Sequence, residues 1–316
     1  PKFSPDGKEI AYIEDRVYLK VLNLETKKVR TITDGSQHYG FDETGFDFQW
    51  SPDCNWFTIT FTTNRRSPYD DIGIVSAKTG GKIYNVTNSG YIDKSPKWVM
   101  NGNAILFISN RLGMRSHASW GSQNDVFIAF MNKETMDKFT MSEEDYALYK
   151  EAEKLRKEEE KKEAATKSDD KKKGAEKSAD AKKDDKKDIV IEFEGLEDRV
   201  MRLSPMSGNI ADAELTEDGE SLYFLCSFEK RFDMWEYKTR TREISLKKKL
   251  NSNMGYLKWD KQYKNLYIMG TKPAVFNIAS GTSKPVSFSA SMDLDRAGER
   301  RYMFHNAVNQ ERHKFY

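Results

Sequence analysis

The stretch FSPDGKEIAYI at residues 3–13 decides the fold, because the chain repeats it. It returns as WSPDCNWFTIT at 50–60, WVMNGNAILFI at 98–108 and LTEDGESLYFL at 215–225, then more weakly as WDKQYKNLYIM at 259–269. The period is about 45 residues, broken once by an extra stretch of about 70, and a period in that range marks a repeat architecture. Each unit reads as a hairpin: a bulky apolar residue ends one strand, a tight turn follows, and an apolar run leaves it. Proline presets φ in such a turn, aspartate bonds back to the backbone, and glycine supplies positive φ. Cys54 stands where the other strong units have glycine, so its turn is expected to be the most strained.

After each hairpin comes a polar bend and a further strand: RVYLKVLNL from Arg16, DIGIVSA from Asp71, DVFIAFM from Asp125, DMWEYKT from Asp233 and PAVFNIA from Pro273. A turn such as ETKK or KTGGK and a fourth short strand close most units. Four strands per unit predict the blade of an all-β propeller. One such sheet cannot bury both its faces, so neighbours must stack. About five blades are visible, which suggests an incomplete ring. The expected division is blades one to three over 1–130, an inserted helix and charged linker over 131–188, blades four and five over 189–291, and the start of a helical domain over 292–316.

Composition excludes several classes. The 52 Lys and Arg against 50 Asp and Glu leave a formal charge of +2, too little to draw in nucleic acid or an anionic membrane. No apolar run reaches the length of a membrane span. Within the insertion, Ser142 followed by Glu143, Glu144 and Asp145 predicts a helix start. From about 158 to 188 the chain is nearly all Lys, Glu, Asp, Ala and Ser, a composition expected to stay disordered or to form a frayed helix. IVIEFEGLEDRVMRLS then restores alternation and is read as the strand entering the fourth blade. Tyr302, Met303, Phe304, Ala307, Val308 and Phe315 have roughly helical spacing.

The SPDG repeats, the FEGLEDRVMRL return, the charged insertion ahead of it and the exit ERRYMFHNAVNQERHKFY together resemble the tricorn-type proteases. SPDG alone is shared with TolB-like and prolyl-oligopeptidase-like propellers, which stay open as alternatives. The resemblance implies a non-catalytic propeller segment of a serine peptidase. Upstream blades would precede it, and helical, PDZ and peptidase domains would follow Tyr316, with the catalytic residues among them. It implies peptides or unfolded polypeptide as partners and an exported, periplasmic setting, with a cytoplasmic one as the alternative. Homo-oligomer formation by the full-length protein stays open.

Within the chain no catalytic set is predicted. The run 117–122 brings together His117, Ser119 and Ser122 but lacks a nucleophile elbow, and is read as a loop. His38, His305 and His313 lack metal-ligand spacing, Cys54 and Cys226 lie in different repeats, and no cofactor is called. Asp71 and Asp125 are read as turn formers. Arg65, Arg66, Arg111 and Arg115 follow the same hairpin in two successive units. They are the candidate peptide-binding residues, because arginine pairs bidentately with carboxylates.

Overall fold

The structure, a computed structural model, describes residues 1–38, 45–63, 69–117, 120–121, 123–169, 188–228, 230–270 and 272–314. Among them, five four-stranded antiparallel sheets follow one another along the chain. The first holds β1 (Lys2–Phe3), β2 (Glu9–Glu14), β3 (Tyr18–Asn23) and β4 (Val29–Thr31). The second holds β5 (Phe48–Trp50), β6 (Trp56–Thr62), β7 (Asp70–Ser76) and β8 (Ile83–Asn85). The third holds β9 (Asp93–Val99) and β10 (Ala104–Ser109), then, past the small hairpin β11 (Arg115–His117) and β12 (Trp120–Gly121), β13 (Asp125–Phe130) and β14 (Val200–Arg202). The fourth holds β15 (Asn209–Leu215), β16 (Ser221–Ser227), β17 (Phe232–Lys238) and β18 (Ile244–Ser252). The fifth holds β19 (Tyr256–Trp259), β20 (Asn265–Met269), β21 (Ala274–Asn277) and β22 (Ser283–Pro285).

The repeated turn folds as its chemistry dictates. The fourth residue of the motif has positive φ in all five units: Gly7 at 73°, Cys54 at 63°, Gly102 at 89°, Gly219 at 77° and Tyr263 at 53°. In the first, second and fourth units a hydroxyl bonds the motif aspartate and also accepts the first strand amide beyond the turn. Ser4 Oγ lies 2.6 Å from Asp6 and 2.9 Å from the Glu9 amide; Ser51 and Thr216 repeat the pattern. Cys54 carries a β-carbon in left-handed backbone, but so does Tyr263 of the fifth unit, so the second turn is not singled out as the most strained.

Strand alternation sends successive residues to opposite neighbours. On β10, Ile105 and Phe107 pack towards the second blade, Leu106 and Ile108 towards the fourth. On β16, Leu222 and Phe224 face the third blade, Tyr223 and Leu225 the fifth. Four apolar layers therefore join five blades. Two of the repeat's three tryptophans add a polar tie: Trp50 Nε1 donates to the Lys2 carbonyl at 3.2 Å and Trp259 Nε1 to that of Leu215 at 2.9 Å, each reaching the preceding blade. The buried Trp98 indole has no hydrogen-bond partner among the described residues.

The insertion leaves β13 and returns through β14, which pairs with β13 and completes the third blade rather than beginning the fourth. The sequence reading misplaced this strand by one blade. Residues 188–193 form no ladder. Their alternation arises because they cross the outer edges of two blades: the Ile189 amide donates to Asp53 at 3.0 Å, and Phe193 packs on Tyr84 and Trp56. Arg199 fastens the return by donating to the Phe130, Glu192 and Glu194 carbonyls.

The predicted helix is two helices, α1 (Lys133–Thr140) and α2 (Glu143–Asp169). Ser142 caps α2, accepting the Asp145 amide at 3.1 Å. Residues 170–187 of the charged linker lie outside the described residues. A third helix, α3 (Arg296–Lys314), follows the fifth blade, and Arg16 donates to its Gln310 at 2.8 Å.

Candidate functional site at the loop face and the axial strands

Antiparallel alternation sorts the connections to two ends of the sheets. The SPDG-type turns and the turns between third and fourth strands share one end. The loops between second and third strands, and the links from one blade to the next, share the other, here the loop face. Each second-to-third loop carries at least one cation: Arg16, Arg65 with Arg66, Arg111 with Arg115, Lys230 with Arg231, and Lys272.

Of the four predicted peptide-binding arginines, Arg65 and Arg66 lie outside the described residues. Arg115 opens β11, where it pairs with Gly121, and its side chain lies outside the described part. Arg111 is engaged within its own blade. Its Nη2 is 3.0 Å from Asp93, whose side chain is fully buried, its Nε is 3.1 Å from Ser109 Oγ, and its guanidinium lies 4.5 Å from the Phe127 ring centre. Releasing it to a ligand would strand the Asp93 charge, so peptide contact would have to use the donors that remain. The run 117–122 lies between the blade strands β10 and β13, as read; His117 there pairs with Trp120, and Ser119 and Ser122 lie outside the described residues.

The aspartates that open the third strands have a role the sequence reading caught only in part. Asp71 accepts from Asn85, Thr87 and the Ser89 amide, Asp125 from Arg202, Ser204 and Ser207, and Asp233 from the Leu250 and Asn251 amides. Each pins the end of its own blade's fourth strand, or the link beyond it, to the third strand. Their recurrence at one repeat position was the available signal.

The first strands of the blades line the axis, and the ion cluster they carry there has no signature in the sequence. Lys97 Nζ on β9 lies 2.7 Å from Asp212 and 2.9 Å from Glu214, both on β15, and donates to the Ala213 and Leu257 carbonyls at 3.0 and 3.3 Å. Asp212 also accepts the Leu257 amide of β19 at 2.7 Å, so one cation ties three blades. The two partners respond differently. Burial raises the pKa of Glu214 above its ordinary value; Lys97 opposes this, and the nearby charge of Asp212 adds to it. Burial opposes the charge on Lys97 too, but two carboxylates more than offset that and hold it above its ordinary value. Across the axis, Lys2 donates to the Phe48 carbonyl; burial lowers its pKa, Asp47 opposes this, and Lys258 of the fifth blade lowers it further.

His38 lies beside this face in the link between the first two blades. It stacks on Phe46 with ring centres 3.6 Å apart, and burial lowers its pKa to about 4. Among the described residues, no cluster of three or more His, Cys, Asp or Glu could hold a metal ion. Among these residues no helix is long and apolar enough to cross a membrane.

These sheets, stacked through four layers with their first strands inward, define a β-propeller segment. No family model matches the chain. Two curated proteins do: a tricorn-like protease C-terminal subunit of Sulfurisphaera tokodaii, 31% identical over 110 residues, and a tricorn protease homolog of Saccharolobus solfataricus, 27% identical over 110 residues. Both alignments cover 35% of this chain but only 12% and 10% of those proteins. Among solved structures, the tricorn protease matches 98% of this chain with 28% of its own, at a TM-score of 0.63 and 13% identity. TolB from Acinetobacter baumannii matches 90% of this chain with 53% of its own, at 0.51 and 13% identity. The chain is thus similar in sequence to tricorn-like proteases over 110 residues, and its fold is that of the propeller parts of the tricorn protease and TolB.

Proposed function

We propose that the chain is a non-catalytic propeller segment of a tricorn-like serine protease, and that it guides polypeptide to or from the peptidase. The observation that carries this reading is the loop face, where the described second-to-third loops of blades one, three, four and five each bring a cation to the same end of the sheets. Peptide carboxylates are drawn to such an end, and arginine holds them by paired bonds that lysine copies poorly.

The test is charge reversal at Arg65, Arg66 and Arg115 in the full-length protein, with long and short peptides sharing one scissile sequence. Guidance requires the long peptide to lose kcat/KM while the short one keeps it. Equal effects on both peptides defeat the reading. The likeness to TolB supports a second reading, an interaction propeller with no peptidase attached. Peptide hydrolysis by the full-length protein decides against it.

A further inference from the structure

We propose that the cleft between the fourth and fifth blades on the loop face is a peptide-docking site. It would take one large apolar side chain of an extended acidic peptide, whose neighbouring carboxylates meet Arg231 and Lys272. The inference gives a substrate chemistry to the polypeptide-handling reading above and rests on it for its purpose.

The cleft encloses about 360 Å³, at the small end of ligand sites, which run from ~300 to ~1,000 Å³. Its base is apolar: Leu225, Phe232, Leu250 and Ile268 line it. Its walls are the backbone after β18 and the end of β20, drawn together by two glycines. A β-carbon on Gly255 would sit 2.9 Å from the Met269 carbonyl oxygen, and one on Gly270 3.0 Å from that of Met254.

Among the described residues, the lining contains two cations and no acid. Arg231 gives one bond, 3.3 Å to the Asn251 carbonyl, and the rest of its fork is available; Lys272 is exposed. The nearby Asp233 is held in place by the Leu250 and Asn251 amides, so two cations face one fixed carboxylate and the balance there stays positive. The site is therefore apolar at its base and positive at its mouth.

The surroundings extend it. Met254, Met206, Phe228, Leu112 and Met114 are all markedly exposed, and all lie in loops of this same face on blades three to five. Large apolar side chains gathered on one face mark an interaction surface. Methionine suits variable partners, since its unbranched chain repacks readily. Charge complementarity selects the occupant: an apolar anchor flanked by carboxylates satisfies both halves of the cleft.

The test uses the full-length protein and a fluorescein-labelled decapeptide alternating Leu and Glu, with anisotropy read at 0.15 M salt. The comparison probes replace Glu by Lys, replace Leu by Ser, or are a labelled single-stranded oligonucleotide. The Leu/Glu peptide is expected to bind, and each comparison probe at least tenfold more weakly. Arg231→Glu, Lys272→Glu and Met254→Asp are each expected to weaken binding at least fivefold. All three side chains are exposed, so the fold survives these changes, and Lys249→Glu on the outer strand β18 is expected to bind as the wild type does. Failure of the Leu/Glu peptide to bind, equal binding of the lysine peptide or the oligonucleotide, or unchanged affinity in the three cleft variants overturns the proposal. Hydrolysis of long and short peptides by the same proteins separates the two ideas. Cleft binding without any effect on hydrolysis would sink the guidance reading alone.

Discussion

Lys97→Met removes the one cation that Asp212 and Glu214 share on the axial strands. Breaking a buried ion pair from one side costs ~3–5 kcal/mol, because the remaining charge keeps its desolvation penalty. Here the side chains of Asp212 and Glu214 are 8% and 12% exposed and that of Lys97 is 19% exposed. Glu214, already raised by burial, can also escape by taking a proton. Both facts place the loss at the low end, about 3 kcal/mol. At roughly 2 °C per kcal/mol for a chain of this size, the melting temperature should fall by about 6 °C at pH 8.

The pH dependence has a definite sign. A carboxylate with a raised folded pKa keeps a proton that the unfolded chain releases, so stability falls as pH climbs from the unfolded value to the folded one. Without Lys97 the folded value rises further, and the variant should lie closer to wild type at pH 5 than at pH 8. Thermal melting followed by tryptophan fluorescence at both pH values is the assay. A variant within 1 °C of wild type at pH 8, or one with a larger deficit at pH 5, refutes the reasoning. Adding Asp212→Asn and Glu214→Gln to Lys97→Met should recover most of the loss, since the uncompensated charge disappears.

Four further outcomes follow from other sites. His38 stays neutral in the fold with a pKa of about 4, so the unfolded state binds the extra proton and stability should rise between about pH 4 and 6.5; His38→Phe should flatten that slope in a melting profile, and an unchanged slope contradicts it. Cys54→Gly should raise stability by about 1 kcal/mol through relief of left-handed backbone, and a denaturant midpoint at or below wild type would count against this. Arg240 donates to the Lys138, Phe139 and Met141 carbonyls and stacks 3.5 Å over Tyr146. Arg240→Met should loosen α1 and α2 by about 2 kcal/mol and speed limited proteolysis there, whereas equal cleavage rates would show that the contact is idle. Replacing residues 160–186 by a Gly/Ser linker should move stability by no more than about 0.5 kcal/mol in a denaturant titration.

The repeat was legible because its turn is local chemistry. Ser, Asp and a residue tolerant of positive φ act within a few positions of one another, so SPDG, SPDC and TEDG announce the same hairpin. Even WDKQYKN folds that way, with Tyr263 taking the glycine's place. Residues 188–193 misled for a physical reason. Alternation reports that one side of an extended segment is buried, and Ile189, Ile191 and Phe193 are packed on blades without joining a ladder. The axial cluster was invisible because Lys97 lies more than a hundred positions from Asp212 and Glu214, and lysine beside carboxylates is common on any surface. The repeat position of the loop-face arginines is legible in the sequence, but the commitment of Arg111 to Asp93 depends on a contact between a loop and the first strand.

The arm that crosses from the third blade to the second also changes how the molecule would yield to force. In a plain propeller each blade is held to the next by side-chain packing, and tension along the chain can peel blades away singly. Here Ile189 bonds Asp53, Phe193 lies against Trp56 and Tyr84, and Glu197 accepts from Asn88, all after the chain has already built most of the third blade. The second blade is laced to its neighbour from outside as well as pressed against it. Under a pulling device the two should rupture as one larger step, and cutting the lace should split that step in two.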